Sequence, residues 1–280
     1  MKIPFHKITD TSATLIIWLL TLVAVTPLVL VIGYVAVNGF RHLSFDLLTR
    51  SPAPVGETGG GVLNGIVGSV IILFTAGLAG IPLGILGGLY LSEGSGGRGR
   101  HLVRLCIEIL QGVPSIVIGI VAYILLVVPM KRFSAIAGGI ALGIMMLPVI
   151  VISTEEVLRL IPSELREAGI ALGMPRWRVS LLVVMRTGMG GVFSGVLISF
   201  SRVAGETAPL LFTALGSQFL SFRPDRPMAA LPLQIFNYAI SPYPEWHAVG
   251  FAASFLLLIV ILAVNIATRT ILARMSFSRR

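Results

Sequence analysis

Long stretches without a single charged residue decide what this chain can fold into. Thr14–Val37 is uncharged, and as a helix it reaches about 36 Å at about 1.5 Å per residue. That is enough to cross the hydrocarbon of a bilayer. Val62–Leu91, Ala135–Ile152 and Trp246–Thr268 are equally free of Asp, Glu, Lys and Arg. Two further stretches are less clean. The one between Arg104 and Lys131 carries Glu108 near its start, and Val179–Val203 carries Arg186 and Arg202. The sequence predicts an all-α polytopic membrane protein with about six spans. Thr14–Val37 is longer than a signal-peptide core and no small-residue cleavage site follows it, so it reads as a retained span. Hydrophobic residues make up 55% of the chain and charged residues 12%. This excludes an ordinary soluble enzyme and a disordered chain. Cys106 stands alone, so no intrachain disulfide forms.

The net charge of +9 would suggest nucleic acid in a soluble domain. Six spans put both termini on one side, and the basic residues choose the side. With the N terminus inside, fourteen basic residues face the cytoplasm, Lys2, Arg279 and Arg280 among them, against six outside. The bias predicts cytoplasmic N and C termini and a cytoplasmic-membrane location, and it removes the nucleic-acid reading.

Small residues recur within the spans: Ala76, Gly80, Gly84 and Gly88; Gly139 and Gly143; Gly191 and Gly195. Such stripes let helix backbones approach closely. Generic packing is the favoured reading, and interfaces that slide during transport are the alternative. Pro82 and Pro148 are candidate kinks. The Pro-rich stretch Gly205–Glu245 contains Thr207–Phe222, too short to span comfortably, which reads as re-entrant or packed on the outer face.

Ser153–Arg178 is a polar segment between spans and the most informative stretch of the chain. Ser153-Thr154-Glu155-Glu156 has the form of a capping box and predicts a short helix ending before Pro162. A second short helix is bracketed by Pro162 and Pro175. Ser163 is the expected N-cap, Glu164 suits the positive helix end, and Gly173 is the expected C′ residue. Leu165, Ala168, Gly169 and Leu172 share one small apolar face at helical spacing, suited to insertion into a partner's cleft. A plain solvated loop is the alternative on pattern alone.

Glu167-Ala168-Gly169, followed after three residues by Gly173, resembles the EAA signature of ABC-importer permeases. Gly169 stands where that family usually has Ala, and Arg186 where its general signature has Pro. The resemblance implies a type I importer (MetI-like) permease fold. It makes the segment near 164–173 a coupling helix that docks on an ATPase through Glu164, Leu165, Glu167, Ala168, Gly169, Leu172 and Gly173.

Arg202 and Glu206 interrupt an otherwise apolar region. A charge well inside a span costs about 2.5–3.5 kcal/mol on insertion scales. The two are spaced i, i+4, with the arginine first, which is the poorer order for helix support. A guanidinium grips a tetrahedral oxyanion through paired hydrogen bonds, and Glu206 could hold Arg202 when no anion is present. The alternative is an arginine that snorkels to the outer interface. The run Arg202–Leu215 resembles the A-type permeases of bacterial phosphate-specific transport. Thr154-Glu155-Glu156, Leu165-Arg166-Glu167-Ala168, Leu231-Pro232 and Ser241-Pro242 support the likeness, which covers most of the chain after the first span. Members of that group carry a basic residue near position 186. The resemblance implies a permease subunit for inorganic phosphate, with Arg202, Glu206 and Thr207 on the substrate pathway. It also implies a second permease subunit, an ABC ATPase dimer and an external phosphate-binding protein. ATP and Mg would reside in the ATPase, and this chain would bind no cofactor. Residues 1–61 would form an N-terminal span with its outer loop, and 62–275 the permease domain.

The remaining motifs add little. His6, His42, His101 and His247 lack metal-ligand spacing. No G-x-x-x-x-G-K loop occurs, so ATP has no Walker site here. Asp10, Asp46 and Asp225 lie outside the spans, and Ser194 has no positioned base, which argues against an intramembrane enzyme. Glu108 reads as a hydrated or partnered acid at a span's end. A permease for sulfate or phosphonate is the rival within the class, and a secondary transporter the rival outside it.

Overall fold

In the computed structural model, residues 5–54, 57, 59–94 and 96–277 are described. Lys2, Arg279 and Arg280, counted above towards the inward charge, lie outside them. Helix α1 (Phe5–Arg41) is followed by the short α2 (Phe45–Thr49) and by α3 (Leu63–Glu93). Next come α4 (Arg98–Gly112) and α5 (Ser115–Ala122). A π-helical turn (Tyr123–Val127) joins α5 to α6 (Val128–Met130). Helix α7 (Ala135–Arg159) leads to α8 (Ser163–Ala171) and α9 (Arg176–Arg178). A second π-helical segment (Val179–Val184) runs into α10 (Met185–Val203). Helices α11 (Ala208–Thr213), α12 (Leu231–Ala239) and α13 (Pro244–Phe277) complete the chain. Among the described residues five helices are long and apolar enough to cross a membrane, or six if one bent pair counts as a span. The chain is a multi-pass membrane protein.

The third expected span, between Arg104 and Lys131, falls within the bent pair. Arg98–Gly112 and Ser115–Met130 meet at 106°, with the break at Val113-Pro114. Proline cannot donate to the helix ladder and disfavours helical backbone before it. Helix α4 therefore lies across the direction of Ser115–Met130. A correction concerns Ser153–Glu156. These residues do not start a helix, because α7 runs unbroken to Arg159. The Ser153 hydroxyl instead donates to the Ile150 carbonyl. The apparent capping box is overridden by tertiary packing that holds Thr154 and Glu155 buried.

Helices α3 and α7 form the centre and run in the same direction. Gly139 lies against Thr75 and Ile72, Gly143 against Ala76 and Gly80, Gly84 against Ile150, and Gly88 against Thr154. The small-residue stripes are thus a close packing seam between two backbones, and both helices continue through Pro82 and Pro148. Helix α10 runs antiparallel to α7, with Gly188 and Gly191 against Leu158 and Val157. Ile72, Leu142, Met146, Ile150, Val196 and Leu210 fill the core between these elements. Helices α1 and α13 pack on one another through Tyr34–Phe251 and Phe40–Phe255 edge contacts. Gly39 admits Phe255 so closely that an added Cβ would sit 2.5 Å from the Phe255 Cβ.

The bundle has two polar ends. We call the end holding Glu93, α8 and α9 basal, and the end holding residues 205–245 apical. The apical segment closes the start of α7, whose first N–H groups need partners. The Ser134 N–H donates to Thr213 O at 2.9 Å, Ala135 to Arg226 O and Ile136 to Pro224 O. The Ser134 hydroxyl accepts from the Ala137 N–H as the N-cap. Ser69 and Asn64 on α3 hold the same segment, through Leu231 N–H and Ser217 O. Thr207–Phe222 is accordingly a short helix plus an irregular strap packed on this end.

Candidate functional site

The basal end presents α8 on a short bracketed segment, as its prolines and glycine predict. Its N-cap is Pro162 rather than Ser163, with no side-chain bond. Proline fixes the backbone there and Glu164 follows in the first turn, favourable to the helix dipole. The C terminus is a full Schellman motif. Gly173 N–H donates to Ile170 O and Met174 N–H to Gly169 O, and Gly173 adopts φ +81°, a conformation only glycine enters freely.

The expected apolar face of α8 divides. Leu165, Ala168 and Leu172 are exposed, Leu172 at 83%. Gly169 turns inward and is buried against Val179. An added Cβ at Gly169 would sit 3.0 Å from Val179 Cγ2, so this seat favours glycine over the alanine usual in the EAA signature. Glu164 and Glu167 are exposed beside the apolar residues.

Arg166 fixes how α8 sits on the bundle. Its Nε and Nη2 donate to Glu93 Oε1 at 3.0 and 2.7 Å. Its Nη1 donates to the Ile161 carbonyl and its Nη2 to the Leu158 carbonyl. One guanidinium thereby ties α8 to the last residue of α3 and caps the end of α7. Ser180, in the π-helical segment before α10, donates to the same Glu93. Arg166 belongs to the Leu165-Arg166-Glu167-Ala168 motif, but its partner lies 73 residues away, beyond any local pattern.

Next to this, Glu155 is 3% exposed and its Oε1 meets Arg100, Arg104 and Arg159. No local pattern predicts this cluster; by spacing alone Glu155 belongs to a capping box.

The apical end carries Arg202, Glu206 and Thr207. Arg202 lies in the last turn of α10, which stops at Val203. Ala204 and Gly205 then turn the chain, and Glu206 N–H donates to Val203 O. Glu206 is therefore off the helix, and the expected i, i+4 pair does not form. Among the described residues no ion pair joins the two. Arg202 is exposed, while Glu206 and Thr207 are partly buried. Thr207 O accepts from the Leu210 and Leu211 N–H groups and so starts α11. Arg176–Val203 is one candidate span. Arg202 stands about 39 Å from its basal start at about 1.5 Å per residue, in the last turn at its apical end. A cavity of about 230 Å³ with a mixed polar and apolar lining also opens at this end, with Asn64, Ser217, Gln234, Leu215, Leu233 and Trp246 among its walls. Among the described residues no group of three or more His, Cys, Asp or Glu could hold a metal ion.

Comparison with known proteins agrees with this architecture. Residues 80–277 match the family described as binding-protein-dependent transport system inner membrane component. The chain is 40% identical over 238 residues to the phosphate transport system permease protein PstA of Yersinia pestis, covering 85% of this chain and 81% of the relative. It is 42% identical over 234 residues to the protein of the same name from Haemophilus influenzae, covering 83% and 82%. Among solved structures it superposes on a chain of the inward-facing MetNI methionine ABC transporter with a TM-score of 0.60. The identity there is 20%, over 76% of this chain and 94% of that one, a likeness of fold.

Proposed function

Because the chain belongs to the family of binding-protein-dependent transport system inner membrane components, we propose that it is the permease subunit through which an ATP-driven importer moves inorganic phosphate across the cytoplasmic membrane. Residues 1–61 are an added span with its outer loop, and 62–275 the permease domain. Both termini face the cytoplasm, so the basal end is cytoplasmic and the apical end external. The inside-positive charge bias supports this orientation.

The observation that carries the phosphate reading is Arg202: an exposed guanidinium at the apical end of a spanning helix, without a carboxylate partner among the described residues. An unpaired guanidinium offers five donors in a fork that matches a tetrahedral oxyanion. Glu206, just beyond the helix end, sets the local charge, and Thr207 adds a hydroxyl beside it. Relatives named for phosphate transport support the choice of anion.

At the other end, Leu165, Ala168 and Leu172 insert into a cleft of an ABC ATPase, flanked by Glu164 and Glu167. Gly169 and Gly173 set the shape of that helix. Two ATPases bind ATP and Mg, a second permease subunit completes the pathway, and an external phosphate-binding protein delivers substrate. ATP binding moves the ATPases, and α8 passes that motion to the spans in alternating access.

The test is labelled phosphate uptake into vesicles holding the reconstituted complex, with and without internal ATP. ATP-dependent uptake that sulfate does not suppress is expected, and Arg202→Ala should abolish it while the complex still assembles. Suppression by sulfate would assign the subunit to another oxyanion. Normal uptake by Arg202→Ala would remove Arg202 from the pathway.

A further inference from the structure

We propose that Arg100, Arg104 and Arg159 form a binding site for the headgroup of an anionic phospholipid, at the basal junction of α4 and α7. This site is independent of the transported substrate. Glu155 organises it. Its buried Oε1 lies 2.7 Å from Arg159 Nη2 and 3.8 Å from Arg100 Nη2, and it accepts a hydrogen bond from Arg104 Nη2. Three guanidiniums therefore converge on one carboxylate oxygen. Among the described residues the other carboxylate paired with these arginines, Glu108, is 3.8 Å from Arg104 and largely exposed, where water screens an ion pair. Positive charge remains in excess, and with five donors on each guanidinium most of the N–H groups are left for a further acceptor. Arg104 and Arg159 are 41% and 49% exposed, so these donors reach the surface.

The geometry of α4 places that surface at the membrane. The helix lies across Ser115–Met130 rather than along it. Its outer strip, Leu102, Leu105, Cys106 and Ile109, is exposed, while Arg100 and Arg104 turn towards α7. An amphipathic helix of this kind lies in the interface, with apolar residues in the acyl region and cations among the headgroups. Tyr90 marks the same level. It is exposed on the last turn of α3, and an added Cβ at Gly99 would sit 2.9 Å from its hydroxyl. Amphipathic rings gather at that depth. The first turn of α4 holds Arg98 and Arg100, no acid and no side-chain cap. Cations at the positive end of a helix are unfavourable, and a headgroup phosphate at this end offsets them. The apolar strip favours lipid over an acidic protein surface as the occupant.

The experiment uses the assembled, lipid-depleted transporter in detergent. Phosphatidylglycerol, phosphatidylcholine or inorganic phosphate is added, and bound lipid is counted by native mass spectrometry. Phosphatidylglycerol is expected to bind and phosphatidylcholine not. Arg100→Gln and Arg159→Gln should each weaken phosphatidylglycerol about fivefold, while Arg159→Lys, which keeps the charge, retains most of it. Equal binding of the two lipids by the wild-type complex would overturn the proposal without any variant. So would unchanged binding in both glutamine variants. Displacement of the lipid by inorganic phosphate at matched concentration would assign the site to a free anion and overturn the lipid assignment. Lipid binding that depends on the ATPase rather than on these arginines would do the same.

Discussion

Arg166 on α8 and Glu93 at the end of α3 are joined by two hydrogen bonds to one carboxylate oxygen, Nε–Oε1 at 3.0 Å and Nη2–Oε1 at 2.7 Å. Both side chains are less than a quarter exposed. The same guanidinium closes the end of α7 through the Leu158 and Ile161 carbonyls. Helix α8 is therefore fastened to the bundle rather than carried on a free loop.

Arg166→Ala should lower stability by about 2–3 kcal/mol, because it leaves the Glu93 charge partly buried and unpaired. Transport should fall further than ATPase activity, as α8 then moves without α3 and α7. Arg166→Lys should not restore coupling, since one ammonium cannot span a carboxylate and two separate carbonyls. The ratio of phosphate imported to ATP hydrolysed measures this directly. An unchanged ratio in Arg166→Ala would refute it.

The seam between α3 and α7 should not tolerate a methyl group. A Cβ at Gly84 would lie 2.7 Å from Ile150 Cβ, and one at Gly88 2.5 Å from Thr154 Cβ. Gly84→Ala and Gly88→Ala should each cost about 1–3 kcal/mol by overpacking. Gly33→Ala on α1, with nothing within 4 Å of the added atom, should be neutral or slightly stabilising through helix propensity. Thermal unfolding midpoints of the three variants decide the matter.

Gly173→Ala should fray the end of α8. The position has φ +81°, which costs about 1–2 kcal/mol for a residue with a Cβ. Leu172, at the exposed tip, then loses its fixed placement. Weaker retention of the ATPase on co-purification is expected, with Gly173→Asn milder than Gly173→Ala, because Asn enters this conformation more readily.

Burial pushes the Tyr238 phenol above its ordinary value of 10.0, against a smaller lowering by the hydrogen bond with Gln234. The raised value means the contribution of Tyr238 is fully present below the ordinary pH of titration and is lost as pH rises through the folded value. Alkaline unfolding should therefore include loss of the cluster that packs Tyr238 on Trp246. Tyr238→Phe should move the alkaline midpoint upward, and a midpoint unmoved by that change would count against it.

Much of the fold is legible because hydrocarbon admits so few arrangements. Uncharged runs must be helices, and Leu63–Glu93 ends at the charge that closes its run, whereas Ala135–Arg159 continues through Glu155 and Glu156. Helix α8 is legible because Pro162, Pro175 and Gly173 act locally. The break at Val113-Pro114 carried a signal in its proline, which an uncharged surround obscured. Ser153–Glu156 misled because a capping pattern is local, whereas packing of Thr154 on Gly88 and of Glu155 among three arginines is not. The Arg202–Glu206 pair failed for a related reason. The helix that would have brought them together ends between them, and i, i+4 spacing says nothing about where a helix stops. Arg166 and Glu93 meet only once α3, α7 and α8 are assembled.

Where Gly80 and Gly84 meet Gly143 and Ile150, two main chains touch with few side chains between them. Such a seam has almost no rotamers to change. It is expected to move as one rigid beam. Compliance must lie elsewhere, and the two π-helical segments, Tyr123–Val127 and Val179–Val184, are the places where the backbone ladder is already loosened. A stiff girder between soft joints would bend at the joints, so changes in Tyr123–Val127 or Val179–Val184 should alter the range of any motion more than changes in the seam.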